Sequence, residues 1–135
     1  LAIWVHGRQF PDSYDFWDGN WLRGTVHCGG GGSSVDVSGS ILHLTELDQW
    51  CVSTKALYDT SGGEAKLECM EPALSIDLMP DSLGHIRMNV SITPNHVLQR
   101  HEFAFTIDPT SLSALIVQLK TVLKTYPLRG VESAR

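Results

Sequence analysis

The sequence predicts an α+β fold: a largely antiparallel sheet of about seven strands, with two amphipathic helices packed on one face, in a single domain over residues 1–135. Three observations lead there. Most apolar runs alternate with polar residues at a period of two, as half-buried antiparallel strands do, instead of running continuously apolar as strands buried on both faces do. Two segments repeat apolar residues at a period of 3.6, the mark of a helix with one buried side. The connections in the second half are short, which suits hairpins better than crossovers.

The elements follow in order. Leu1, Ile3 and Val5 alternate with Ala2, Trp4 and His6, and Gly7 ends this first strand. Residues 9–19 hold Pro, Ser, three Asp and Gly and read as a loop. Residues 20–28 form a second strand with Leu22, Val26 and Cys28 on one face; the four glycines 29–32 reverse the chain, and Val35 and Val37 begin the return strand. Thr45 reads as an N-cap, followed at helical spacing by Leu47, Trp50, Cys51, Thr54, Leu57 and Tyr58, with Gly62-Gly63 as the stop. Glu46 and Asp48 favour the positive end of that helix. Ala65, Leu67 and Cys69 alternate, Glu71-Pro72 breaks the chain, and Leu74, Ile76 and Leu78 alternate again. The clearest strand is 85–93, where Ile86, Met88, Val90 and Ile92 point one way and Arg87, Asn89 and Ser91 the other. Phe103, Phe105 and Ile107 make the last strand. Asp108-Pro109 then starts a helix whose Leu112, Leu115, Ile116, Leu119, Val122, Leu123 and Tyr126 keep the 3.6 period until Pro127.

Composition narrows the function. With 42% hydrophobic and 19% charged residues the chain is neither disordered nor fibrous, and 135 residues suffice to bury about two-thirds of the unfolded surface. A net charge of −5 supplies no field that attracts nucleic acid or anionic lipid, so neither is expected as a partner. No apolar run approaches the ~20 residues that cross a bilayer. The first residues have no basic region and too short an apolar stretch for a signal peptide, so a soluble, cytoplasmic protein is expected. Cys28, Cys51 and Cys69 show no C-x-x-C spacing and read as reduced core residues.

The search for chemistry returns little. The glycines 29–32 are not followed by the Lys-Ser/Thr of a phosphate-binding loop, and no G-x-S-x-G positions a nucleophilic serine. The six histidines are scattered; His96 and His101 flank a turn, but two ligands do not close a zinc site. Asp12, Asp15 and Asp18 fall short of the calcium-loop pattern and suit Asx-turns. Glu68 and Glu71 read as solvated carboxylates. No catalytic, cofactor-binding or metal-binding residue is therefore nominated. The densest feature is residues 10–22, where Phe10, Tyr14, Phe16, Trp17, Trp21 and Leu22 sit among turn-forming polar residues. It is either a loop tucked over the sheet edge by Trp17 and Trp21 or an exposed recognition patch, since Tyr and Trp carry much interface energy with few rotors.

At this segment the chain resembles the WapI-type immunity proteins, small bacterial proteins. The matching residues are Gly7-Arg8, Pro11-Asp12-Ser13-Tyr14-Asp15 and Trp17-Asp18-Gly19-Asn20-Trp21-Leu22, with Glu46-Leu47, Gly63-Glu64-Ala65, Glu71-Pro72-Ala73-Leu74 and the final helix further on. The resemblance implies a cytosolic, non-enzymatic protein that protects its own cell by binding and neutralising a toxin, with no catalytic residues to carry over. It departs from an ordinary hairpin at glycines 29–32, which suggests a lengthened, mobile tip. Beside the resemblance, the acidic and aromatic residues Asp12, Tyr14, Asp15, Trp17 and Asp18 are the candidate contacts for a basic protein partner such as a toxin domain. Two other classes stand beside it: a small enzyme using Asp15, Asp18 and Glu71 with a nearby His, and a structural subunit that associates through an apolar sheet edge.

Overall fold

In the computed structural model, which describes residues 1–132, seven strands and two helices follow one another in the order that the periodicities predict. Strands β1 (Ala2–Arg8), β2 (Trp21–Gly30) and β3 (Ser33–His43) are followed by helix α1 (Leu44–Thr60), then by β4 (Ala65–Glu68), β5 (Leu74–Pro80), β6 (Ile86–Ile92) and β7 (Glu102–Ile107), and by helix α2 (Thr110–Thr125). A single 3-10 turn, Asp18–Asn20, leads into β2.

The strands divide into two antiparallel sheets, β1-β2-β3 and β4-β5-β6-β7, and not one sheet of seven. The physical reason lies at residue 43, where β3 passes without a loop into α1 and the chain leaves the sheet edge before β4 begins. Period-two alternation decides which face of a strand is buried; it is silent about which strand lies alongside. Gly30 at the end of β2 lies close against the Phe105 ring of β7, so the two sheets touch there.

The hairpin tip is tighter than the four glycines suggest. Gly30 pairs with Ser33, leaving only Gly31 and Gly32, with φ of 60° and 87°, as the two-residue turn. Consecutive positive φ is what a type I′ turn demands, and its twist suits the flanking strands. Gly29 and Gly30 are strand residues, so the expected long, mobile loop is absent.

Inward-facing side chains of both sheets and the helices form one apolar cluster that includes Leu22, Val26, Trp50, Leu67, Ile76, Val90 and Leu112. Trp50 on α1 is 2% exposed. The helices pack on each other and reach both sheets: Ile3, Val5 and Leu42 face Leu115, Leu119 and Val122 around a small apolar cavity, while Leu57 and Leu112 meet near Ile86. Helix α2 begins one residue later than the sequence predicts, with Pro109 and not Asp108 at the N-cap position; the Asp108 carboxylate still accepts from the Thr110 amide at 2.9 Å and from its hydroxyl at 2.8 Å, so it serves the first turn from one residue further out. All three cysteines are free, with Cys28 and Cys51 buried.

Candidate functional site

Residues 9–20 fold back on themselves through their own polar groups. The Asp15 carboxylate accepts from the backbone N–H of Trp17 at 2.6 Å and of Asp18 at 3.0 Å, an Asx arrangement that forces the chain into the 3-10 turn. Asp15 is thus spent on local structure, as the turn reading of the three aspartates expects. Asp12 and Asp18 are exposed. Tyr14 is 70% exposed, and the Arg129 guanidinium sits 4.3 Å from its ring centre.

The loop is then pinned to the segment that follows α2. Asn20, fully buried, donates to the carbonyls of Phe16 at 2.7 Å and Arg129 at 2.9 Å and accepts from the Arg129 amide at 2.9 Å. Arg8 at the end of β1 donates to the Gly19 carbonyl at 2.6 Å and to that of Pro127 at 2.5 Å, and Arg129 returns to the carbonyls of Pro11 and Ser13 at 2.6 and 2.9 Å. Gly130 adopts a φ of 68°, and a Cβ there would stand 2.7 Å from the Phe16 amide nitrogen, so the close approach of the two segments requires glycine. Charged donors to carbonyls are the stronger class of hydrogen bond, and here they close two chain segments over one another.

Under the loop lies His43, fully buried among Phe16, Trp17 and Trp21, with ring centres 4.9–5.9 Å from its own. Its Nε2 lies 3.1 Å from the Trp17 carbonyl and its Nδ1 2.7 Å from the Thr45 hydroxyl. His43, not Thr45, is the N-cap of α1: its ring accepts from the Thr45 amide and its own N–H donates to Glu46 Oε1 at 2.9 Å, closing a capping box. The other oxygen of Glu46 accepts from the Met70 amide at 2.6 Å. One buried carboxylate therefore ties the start of α1 to the chain between β4 and β5.

Burial raises the Glu46 carboxyl above its ordinary pKa, opposed by the two amides that point at it and helped by the nearby Glu71. The neighbouring thiol of Cys69 is pushed up to about 12 by burial and by Glu46. Iodoacetamide at pH 8 is accordingly expected to alkylate Cys69 in the native protein about a thousand-fold more slowly than in urea, because only the thiolate reacts; a native rate near the unfolded one would contradict it.

These contacts border an open cleft of about 290 Å³. It is lined by the aromatic pair Phe16 and Trp17, by Thr45, Glu46 and Gln49 of α1, and by Glu68, Met70 and Glu132. Trp17 and Phe16 are half-buried, whereas Glu68, Met70 and Glu132 are exposed. Of the five residues expected to meet a partner, only Trp17 lines this cleft; Asp12, Tyr14, Asp15 and Asp18 do not. The carboxylates Glu68 and Glu132 carry no sequence signal of their own, and the H-x-x-E spacing of His43 and Glu46 is the one local pattern that points to the capping box. No group of three or more His, Cys, Asp or Glu among the described residues is placed to hold a metal ion.

The family model described as "Immunity protein WapI-like family" matches residues 1–127. The chain belongs to the WapI-like immunity protein family. The match takes in the aromatic loop, Asn20, His43 and Glu46, whereas Arg129 and Gly130 of the clasp and Glu132 of the cleft follow its last residue. No curated protein and no solved structure matches the chain. No helix among the described residues is long and apolar enough to cross a membrane.

Proposed function

We propose that this member of the WapI-like family is an immunity protein that neutralises a toxin by direct, non-enzymatic binding, and that the toxin domain presents a basic face to it. Family membership supports the immunity role. The observation that carries the binding mode is the rigid aromatic loop: it exposes Tyr14 beside Asp12 while Arg8, Asn20 and Arg129 hold its backbone. A preordered surface loses little freedom on association, so more of its contact energy appears as affinity. A chain of net charge −5 also speeds encounter with a cationic partner. A toxin acting on nucleic acid would have such a face.

Where a toxin gene neighbours its own, co-expression with that toxin domain is expected to restore growth, and the two proteins to co-purify at low salt and separate at high salt. Absence of both rescue and complex would end the reading. Tyr14→Ala separates contact from scaffold, because the exposed ring gives the fold only about 0.5–1 kcal/mol through Arg129. Loss of rescue with a melting temperature lowered by only about 2–4 °C is the expected result.

A further inference from the structure

From the cleft between the aromatic loop and the β4–β5 connection, we infer that the partner's anchor is a lysine or arginine side chain inserted between the Phe16 and Trp17 rings and the carboxylates of Glu68 and Glu132. The inference rests on the binding reading above and adds, to the contacts proposed at Asp12, Tyr14, Asp15 and Asp18, an anchoring contact at the cleft. Three features of the cleft fit that occupant.

Its charge has one sign. Glu46, Glu68 and Glu132 line it, Glu71 is close enough to act on Glu46, and no Lys or Arg among the described residues lines it. The carboxylates of Glu68 and Glu132 make no hydrogen bond or ion pair with any described residue. By contrast, the larger hollow on the outer face of the second sheet has its Glu102 already tied to Arg100 at 3.1 Å. The walls also suit the occupant. Two adjacent aromatic rings, 5.1 Å apart edge to face, offer the π surface that attracts a cation, and Met70, 52% exposed, supplies a flexible apolar contact for an aliphatic stem. Finally, the backbone on two sides of the cleft is held: the Met70 amide by Glu46, and the loop by Asn20 and Arg8. A cation entering here need order only exposed side chains, not the chain that carries them, which lowers the cost of binding.

The test uses acetyl-tetra-arginine amide as probe and the full chain labelled with ¹⁵N. The Trp17 indole N–H and the Met70 amide are expected to shift on titration, and Glu68→Lys with Glu132→Lys to weaken the peptide at least tenfold at an unchanged melting temperature. Asp12→Lys with Glu102→Lys changes net charge equally outside the cleft and is expected to weaken it less than threefold. Equal weakening by both pairs, or shifts centred elsewhere, would overturn the cleft as the site. The same variants in the toxin co-expression assay separate the two ideas. If the wild type rescues and the cleft variant rescues equally, the cleft is wrong and the immunity reading stands. If the wild type itself fails to rescue, the immunity reading falls and takes the toxin with it as the occupant.

Discussion

Asn20→Ala is expected to lower stability by about 2–3 kcal/mol, the largest loss from any single polar side chain of the loop. Three hydrogen bonds disappear, and three backbone groups, the carbonyls of Phe16 and Arg129 and the Arg129 amide, lose their partner where Asn20 itself is fully buried. Each net bond contributes about 1 kcal/mol, and each group left unpaired away from water costs about 1–3 kcal/mol; entry of water near the surface keeps the total at the lower end. In urea the midpoint falls with little change in slope, since the buried area hardly alters. Asn20→Asp is nearly isosteric and is expected to cost more. It keeps the acceptor for the Arg129 amide, but replaces the donor with an oxygen that faces two carbonyls. Its deficit should deepen as pH rises through the carboxylate range. If Asn20→Ala melts like the wild type, the clasp between loop and C-terminal segment contributes nothing to stability, and the rigidity invoked for the binding surface loses its basis.

That clasp also shows where sequence reading stops. Alternation located β5, β6 and β7 and the 3.6 period located both helices, because each of those patterns is local and is set by one buried face. The Asp108 hydrogen bonds and the Asp15 turn are local as well, reaching two or three residues along the chain. Asn20 bonds to Arg129 across 109 residues, and no spacing rule connects them. The division into two sheets is invisible for the same reason. Within the cleft, Trp17 is legible as an aromatic in a dense loop, whereas Glu68 is an ordinary outward residue of a short strand until the fold brings it to the same cleft as Phe16 and Trp17. The acidic residues that the sequence marks, Asp12, Asp15 and Asp18, are clustered by position in the chain; those that line the cleft are clustered only in space.

Glu46 yields the second large effect, together with a pH dependence whose sign is fixed by its burial. Glu46→Ala is expected to cost about 2–4 kcal/mol: the capping box of α1 is lost, and the amides of His43 and Met70 are both left without an acceptor. Glu46→Gln keeps one acceptor but turns an NH₂ toward the other amide, so it too is less stable than the wild type. Because burial prevails over the two amides, the folded-state pKa of Glu46 lies above the 4.5 of an unperturbed glutamate. The folded protein then holds that proton more tightly than the unfolded chain does. Stability from this linkage is fully present below the unfolded pKa and is lost as pH rises through the folded one. The stability of the wild type minus that of Glu46→Gln should therefore be greatest near pH 4, decline as pH rises through the elevated pKa, and level off once the carboxylate is ionised. Urea unfolding of both proteins from pH 4 to pH 8 measures that difference directly, with the other titrating groups cancelling to first order. A difference that grows with pH would mean that the hydrogen bonds from His43 and Met70 outweigh burial. Glu46 would then be a carboxylate stabilised in its charged form, holding the cleft wall most firmly at neutral pH.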